Sequence, residues 1–273
     1  LDVISSQVLV DGQPAGYVHV LQDASRQEQL VQAKDEFIMN AAHELRSPLA
    51  SLRASIEVLV EDYAVMEKQE LAFMLRTIQR GVVRFQGLVE NLVDVGNIQA
   101  GRFRVRPVVT RIDTLIENAV SQTLPLLQGR RQRAEVSVES DSPWLVLADR
   151  PRIVQVLINL ISNASKYGPE GEPVCVSAFQ QDDMLVVEVT DRGPGIPPEE
   201  QAQLFKRFYR GRRAEEEGIG IGLGLALARE IIEAHGGQMD VRSQVGSGTS
   251  FWFSLRLAEQ PQAAAPTGQG AGG

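Results

Sequence analysis

Cysteine is almost missing from this chain: Cys175 is the only one among 273 residues. A single thiol cannot close an internal disulfide, and no Cys/His spacing suggests zinc. Cys175 lies in an apolar, strand-like run, so it is expected as a buried structural residue in a reducing compartment. An excess of positive charge is missing too. The formal net charge is -8, which repels phosphate backbones and speaks against nucleic acid as a partner. Any phosphate site must then be built from local groups. No run of about eighteen apolar residues exists, so no membrane contact is expected within these residues. No signal peptide is visible. The chain opens on Leu1 and not on Met, which reads as a fragment. The fragment is expected in the cytoplasm, and a membrane anchor or sensor has room upstream.

What is present is 43% hydrophobic residues, enough for a packed core. The length suits two domains with linkers. Residues 1–22 read as two strands around Asp11-Gly12-Gln13-Pro14. Two strands rarely fold alone, so they look like the end of a larger sheet domain. Ser25-Arg26-Gln27-Glu28 is a capping box that opens a helix. Apolar residues then recur at helical spacing: Leu45, Leu49, Leu52 and Ile56, and again Leu71, Leu75, Ile78, Val82 and Phe85. A polar break at about 61–69 divides them into an antiparallel hairpin. One hairpin cannot cover its own apolar stripe, whereas two copies can, as a four-helix bundle with twofold symmetry.

From Gly101 the pattern changes. Phe103 and Val105 alternate like a strand. Helices are predicted from Ile112 to Leu127, from Pro151 to Ser165 and over 222–235. Strands are predicted at 134–139, 144–147, 174–178, 185–189, 238–243 and 249–257. The expected fold class is therefore an all-α helical hairpin forming a dimeric bundle, followed by an α/β two-layer sandwich. Residues 259–273, rich in Ala, Gly, Pro and Gln, read as a disordered tail.

The chemistry-bearing residues fall in a few segments. His43 lies between Ala41 and Leu45, one step off the apolar stripe, and is expected to face solvent. Glu44 beside it can hold the imidazole tautomer and take its proton. Pro48 lacks an N–H and weakens the helix one turn on. Asn159, Asn163, Lys166 and Tyr167 share one helical face. Amide oxygens suit Mg²⁺, and Lys166 can neutralise phosphate. Asp191-Arg192-Gly193-Pro194-Gly195-Ile196 is a turn that lets a ligand approach a carboxylate. Gly218, Gly220, Gly222 and Gly224 lead, through Leu223, into a helix start that can bind anions. Their spacing is neither the dinucleotide fingerprint nor the P-loop. Gly246-Ser247-Gly248-Thr249 opens the last strand. Each segment also has a plain reading as a surface stripe or a turn.

Taken in order, they resemble the H, N, G1, F, G2 and G3 boxes of sensor histidine kinases of two-component systems. Leu204-Phe205-Lys206-Arg207-Phe208-Tyr209-Arg210 stands at the F box. The resemblance covers about residues 23–257. It implies a PAS-like remnant at 1–22, a signalling helix at 23–36 and a dimerisation and phosphotransfer domain at 37–100. A catalytic ATP-binding domain of the Bergerat type would follow at 101–258. It implies ATP and Mg²⁺ as cofactors, a homodimer, and a response-regulator receiver domain as partner. His43 would be the phospho-acceptor, Glu44 its base and Arg210 a contact to the γ-phosphate. Asn163, with Asn159 beside it, would hold the metal, and Lys166 and Tyr167 would touch phosphates or ribose. Asp191, with Gly193, Gly195, Ile196 and Thr249, would take the adenine. Gly220, Gly222, Leu223 and Gly224 would bind phosphates and hinge a lid at about 211–221. A flexible joint near Gly96–Gly101 would let the domains swing. Ser47 replaces the usual threonine or asparagine, which leaves phosphatase activity toward the regulator open. An ATP-hydrolysing chaperone- or topoisomerase-like enzyme and a non-enzymatic scaffold are the competing readings.

Overall fold

The computed structural model describes residues 2–10, 13–22, 25–63, 65–139, 144–211 and 222–258. For many residues of the N-terminal part, His43, Glu44 and Ser47 among them, it describes the backbone alone. The chain divides into two compact units, Leu1–Leu92 and Val93–Gly273.

In the first unit, β1 (Asp2–Val10) pairs antiparallel with β2 (Gln13–Gln22). The register slips between Val8 and Leu9, where Leu9 faces Pro14. A proline has no N–H for the ladder and is tolerated at such an irregularity. The strand resumes at Gln13, inside the expected turn tetrapeptide, whose residues 11 and 12 lie outside the described residues. Helix α1 (Ser25–Asp62) and helix α2 (Lys68–Gln99) follow. Helix α1 opens at Ser25, as the capping box predicts, and continues through Pro48. The side chains of that box lie outside the described residues. The two helices pack closely at Gly81, where a Cβ would come within 2.6 Å of Leu52 Cδ2. Much of the apolar stripe stays in water: Leu49 is 55% exposed, Phe73 62% and Leu75 51%. Burying such side chains stabilises by about 1.5–3 kcal/mol each, so a lone hairpin forgoes most of its own driving force.

The second unit begins inside α2. Val95 is buried, and Asp94, also buried, accepts a hydrogen bond from Arg152 Nη1 at 2.5 Å. The Arg152 guanidinium lies 5.2 Å from the centre of the Phe103 ring. The amides of Arg102 and Phe103 both donate to Asn97 O, and Gly101 takes φ +64° to close the helix. The expected flexible joint at Gly96–Gly101 is thus a docked helix end, not a loose linker. The expected strand at Phe103–Val105 is also absent. Phe103 is spent on packing against the core and Arg152, and Pro107 delays pairing until Val108. Replacing Asp94 with Ala leaves Arg152 without its carboxylate. We expect a loss of about 2 kcal/mol in the second unit, readable as a lower denaturant midpoint.

Strand β3 (Val108–Arg111) and β5 (Leu145–Ala148) form their own antiparallel pair. The main sheet runs β4 (Ala134–Val138), β6 (Val174–Gln181), β7 (Met184–Asp191), β9 (Gly248–Arg256), β8 (Met239–Gln244). Only β4 and β6 run parallel. Helices α3 (Ile112–Gly129), α4 (Arg150–Tyr167) and α6 (Gly224–Ala234) cover one face. A single turn, α5 (Pro198–Gln201), lies between β7 and α6. Ile116, Leu157 and Ile231 meet Val176, Val187 and Phe253 in a dry core. This is the expected two-layer sandwich. Strand alternation puts Val174 and Val176 inward and turns Cys175 outward, where it is part-exposed and not buried as expected.

Candidate functional site

Helix α4 sorts its residues by face. Ile153, Val156, Leu157, Leu160, Ile161 and Ala164 are buried against the sheet. Asn159, Asn163, Lys166 and Tyr167 fall on a half-buried face beside it, roughly 100° around the helix axis. Asn159 meets the start of α6, for a Cβ on Gly224 would collide with its amide. Its Nδ2 is buried with no hydrogen-bond partner. A buried donor left unmade costs about 1–3 kcal/mol, so the position suits an acceptor such as a phosphate oxygen. The first amides of α6 begin at the same place, after the buried Leu223. That is the anion-binding end of a helix.

The strand end at Asp191 forms the other wall. Asp191 is buried, and its Oδ1 accepts the Gly193 amide at 2.7 Å. The Thr249 backbone, its partner across the β7–β9 pair, supports it too. Burial outweighs these bonds and pushes the carboxyl up to about 6. Gly193 has no room for a side chain: a Cβ would stand 2.6 Å from Asp191 Oδ1 and 2.8 Å from Tyr167 O. Gly195 takes φ +74° beneath the backbone of Gln244. Ser243 ties this corner together. Its Oγ accepts the Ile196 amide at 2.9 Å, bonds Thr249 Oγ1 at 2.9 Å and donates to Gly248 O.

Gly222 and the segment before it are joined by the backbone. Phe208 takes φ +63° and its amide donates to Gly222 O at 2.8 Å. A Cβ on Gly222, at φ +72°, would stand 2.5 Å from Tyr209 O. Arg207 pairs with Glu230 of α6 at 2.8 Å, and Arg229 stacks on Phe205 at 3.5 Å from the ring centre. Arg210 is half-buried at the end of this segment. Gly220, the acidic run at 215–217 and nearly all of the expected lid lie outside the described residues. The structure therefore brings Asn159, Asn163, Lys166, Tyr167, Asp191, Gly193, Gly195, Ile196, Gly222, Leu223, Gly224 and Thr249 into one unit with Arg210. His43, Glu44 and Ser47 stand on α1 in the other unit.

Residues 33–101 match the His Kinase A (phospho-acceptor) domain. Residues 148–259 match the histidine kinase-, DNA gyrase B-, and HSP90-like ATPase domain. The chain belongs to the sensor histidine kinase family. It is 33% identical over 260 residues to the sensor histidine kinase WalK of Bacillus subtilis, covering 92% of this chain and 41% of that protein. The alginate biosynthesis sensor protein KinB of Pseudomonas aeruginosa is 30% identical over 245 residues, covering 89% and 40%. The chain thus spans about two fifths of the curated relatives it matches. Among solved structures, the Acinetobacter baumannii histidine kinase AdeS superposes with a TM-score of 0.61 at 25% identity, covering 79% of this chain and 98% of that one.

Two features of this family member escaped sequence reasoning. His235 is buried after α6; its Nδ1 lies 2.7 Å from Ile231 O and its Nε2 accepts the Asp149 amide at 2.9 Å. That pattern assigns the neutral tautomer with the proton on Nδ1, and it ties α6 to the start of α4. Its one sequence signal is a histidine just before Gly236-Gly237 at a helix end. Gln132, also buried, bonds Ser165 and Pro169. Nothing in the sequence marks it.

Proposed function

We propose that the chain is a protein-histidine kinase that transfers the γ-phosphoryl of ATP to His43 within a homodimer. It then passes the group to an aspartate of a response regulator. The observation that carries this reading is the convergence of three elements in one unit: the asparagine face of α4, the start of α6 at Gly224 and the buried carboxylate of Asp191. The phospho-acceptor helix, matched as such, supplies the other half. In the transfer, an imidazole nitrogen of His43 bonds to the γ-phosphorus. The bond to the β–γ bridging oxygen breaks, ADP leaves, and the ring proton passes to Glu44. Lys166 and Arg210 offset the developing charge, and Asp191 fixes the base by accepting its amino hydrogen. Position and electrostatics supply most of the acceleration in such a transfer.

Mg²⁺ fits the donor set, since two amides one turn apart flank the phosphate end. Asn163 would hold it with Asn159 beside it, and the ion would neutralise phosphate charge. The exposed stripe of α1 and α2 supports pairing of two hairpins. We read 37–100 as the dimerisation and phosphotransfer domain and 101–258 as the ATP-binding domain. On this reading 1–22 are the end of a PAS-like domain and 23–36 a signalling helix. ATP and the regulator place this segment in the cytoplasm. Among the described residues no helix is long and apolar enough to cross a membrane.

The test is chemical. Incubation with γ-labelled ATP is expected to leave label on the protein that acid removes and alkali spares, as a phosphoramidate on nitrogen requires. Free labelled phosphate with no labelled protein would instead favour an ATP-hydrolysing enzyme.

A further inference from the structure

The last turn of α4 carries a defect that its own backbone cannot repair. The carbonyl of Ser165 would take its helical hydrogen bond from the amide of residue 169, but that residue is Pro169 and has no N–H. Ser165 is completely buried, so water does not fill the role. Gln132 does. Its Nε2 donates to Ser165 O at 3.3 Å and to Pro169 O at 2.8 Å, and its Oε1 accepts Ser165 Oγ–H at 2.6 Å. Both amide protons and the carbonyl are thereby used, a complete buried network. Gln132 is held in turn by α3: Arg131 takes φ +55°, and the Gln132 amide donates to Leu127 O at 2.9 Å. Arg130 Nη2 adds a bond to Gly168 O at 3.1 Å.

The backbone that Gln132 grips packs against the corner formed by Asp191 and Gly193. A Cβ on Gly168 would stand 3.6 Å from Gln132 Nε2 and 3.5 Å from Asp191 Cβ. Next to it, Tyr167 O limits the space at Gly193. Residues 167–169 therefore touch both Gln132 and the carboxylate corner. We infer that Gln132 is a positioning residue for the base end of the site, acting on Asp191 and Gly193 through Tyr167–Pro169. The inference rests on the reading that Asp191 receives the base.

Gln132→Met keeps the side chain's length and removes its donors. In the full chain, titrated with ATP, ADP and adenosine, it is expected to weaken all three by the same factor, about tenfold. Autophosphorylation at saturating ATP should stay within about twofold, giving a KM effect with little kcat effect. Gln132→Glu sets an oxygen against two carbonyls and should weaken binding further. Ser165→Ala removes one bond and should cost about threefold. This mild variant carries the test if Gln132→Met does not fold. A purely structural role would lower Tm and the fraction of titratable sites while leaving Kd unchanged, and that result overturns the inference. So does a loss that grows with the number of phosphates. Failure of the wild-type chain to bind ATP would defeat the functional reading itself; wild-type binding with unaffected variants defeats only the role of Gln132.

Discussion

The His43→Gln chain is expected to take no label from γ-labelled ATP, a loss of at least about a thousandfold, while its affinity for nucleotide is unchanged. The two halves have separate physical grounds. A neutral imidazole offers a nitrogen lone pair that lies in the ring plane and is free to attack. The glutamine amide nitrogen has given its lone pair to the carbonyl, so it matches the shape without the chemistry. No neighbouring group gives the same product: a phosphoryl group on the Glu44 carboxylate would be an acyl phosphate, which alkali removes, whereas the histidine product survives alkali. The nucleotide residues, in contrast, lie in the unit that starts at Val93, and His43 lies in the unit that ends at Leu92. Labelling by autoradiography and binding by titration calorimetry on the same preparation read the two quantities. Full labelling of His43→Gln would move the acceptor elsewhere, and lost binding would mean that the variant had disturbed the fold.

What could be read from the sequence follows from how local each signal is. The polar face of α4 was legible because helical spacing alone puts Asn159, Asn163, Lys166 and Tyr167 together. The core strands were legible because alternation separates Val174 and Val176 from their neighbours. The same pattern says nothing about what covers each face. Cys175 was misplaced for that reason: among the described residues, the helices α3, α4 and α6 cover one side of the sheet, and the outward positions of β6 stay partly wet. Phe103 and Val105 alternate, but Phe103 meets a guanidinium from α4, 49 residues on, and not a strand. The joint expected at Gly96–Gly101 failed similarly. Glycines suggest freedom, yet Asp94 and Val95 bind that helix end to the second unit. Gln132 is the extreme case. Its need arises from a proline 37 positions away, and no window of sequence contains both halves of the reason.

Asp191→Asn is expected to stabilise the nucleotide-free chain while reducing ATP affinity by at least about a hundredfold. Burial pushes the carboxyl up to about 6 from an ordinary 3.8. A carboxyl raised in this way favours the fold while it is protonated. That contribution is complete below about pH 3.8 and is lost as pH rises through about 6. At pH 7.5 the folded chain therefore holds a buried charge at a cost of ~3 kcal/mol, taking about 1.4 kcal/mol per pH unit. The amide of the variant never ionises. Its gain over wild type should be on the order of 1–3 kcal/mol at pH 7.5 and should vanish near pH 4, which thermal melts at the two pH values can measure. Binding moves the opposite way. The carboxylate accepts the Gly193 amide and has a second oxygen for an amino group of the base, whereas an asparagine turns an NH₂ toward one of these donors. The wild-type chain should show the same preference for the ionised form. Since only about a quarter of Asp191 is ionised at pH 5.5, its Kd for ATP should rise about fourfold between pH 7.5 and 5.5, and Asp191→Asn should show no such slope. Equal pH profiles for the two chains would remove Asp191 from the base site. Divergent profiles, with the melting temperatures ordered oppositely to the affinities, would show that the site keeps an unfavourable charge because the ligand requires it.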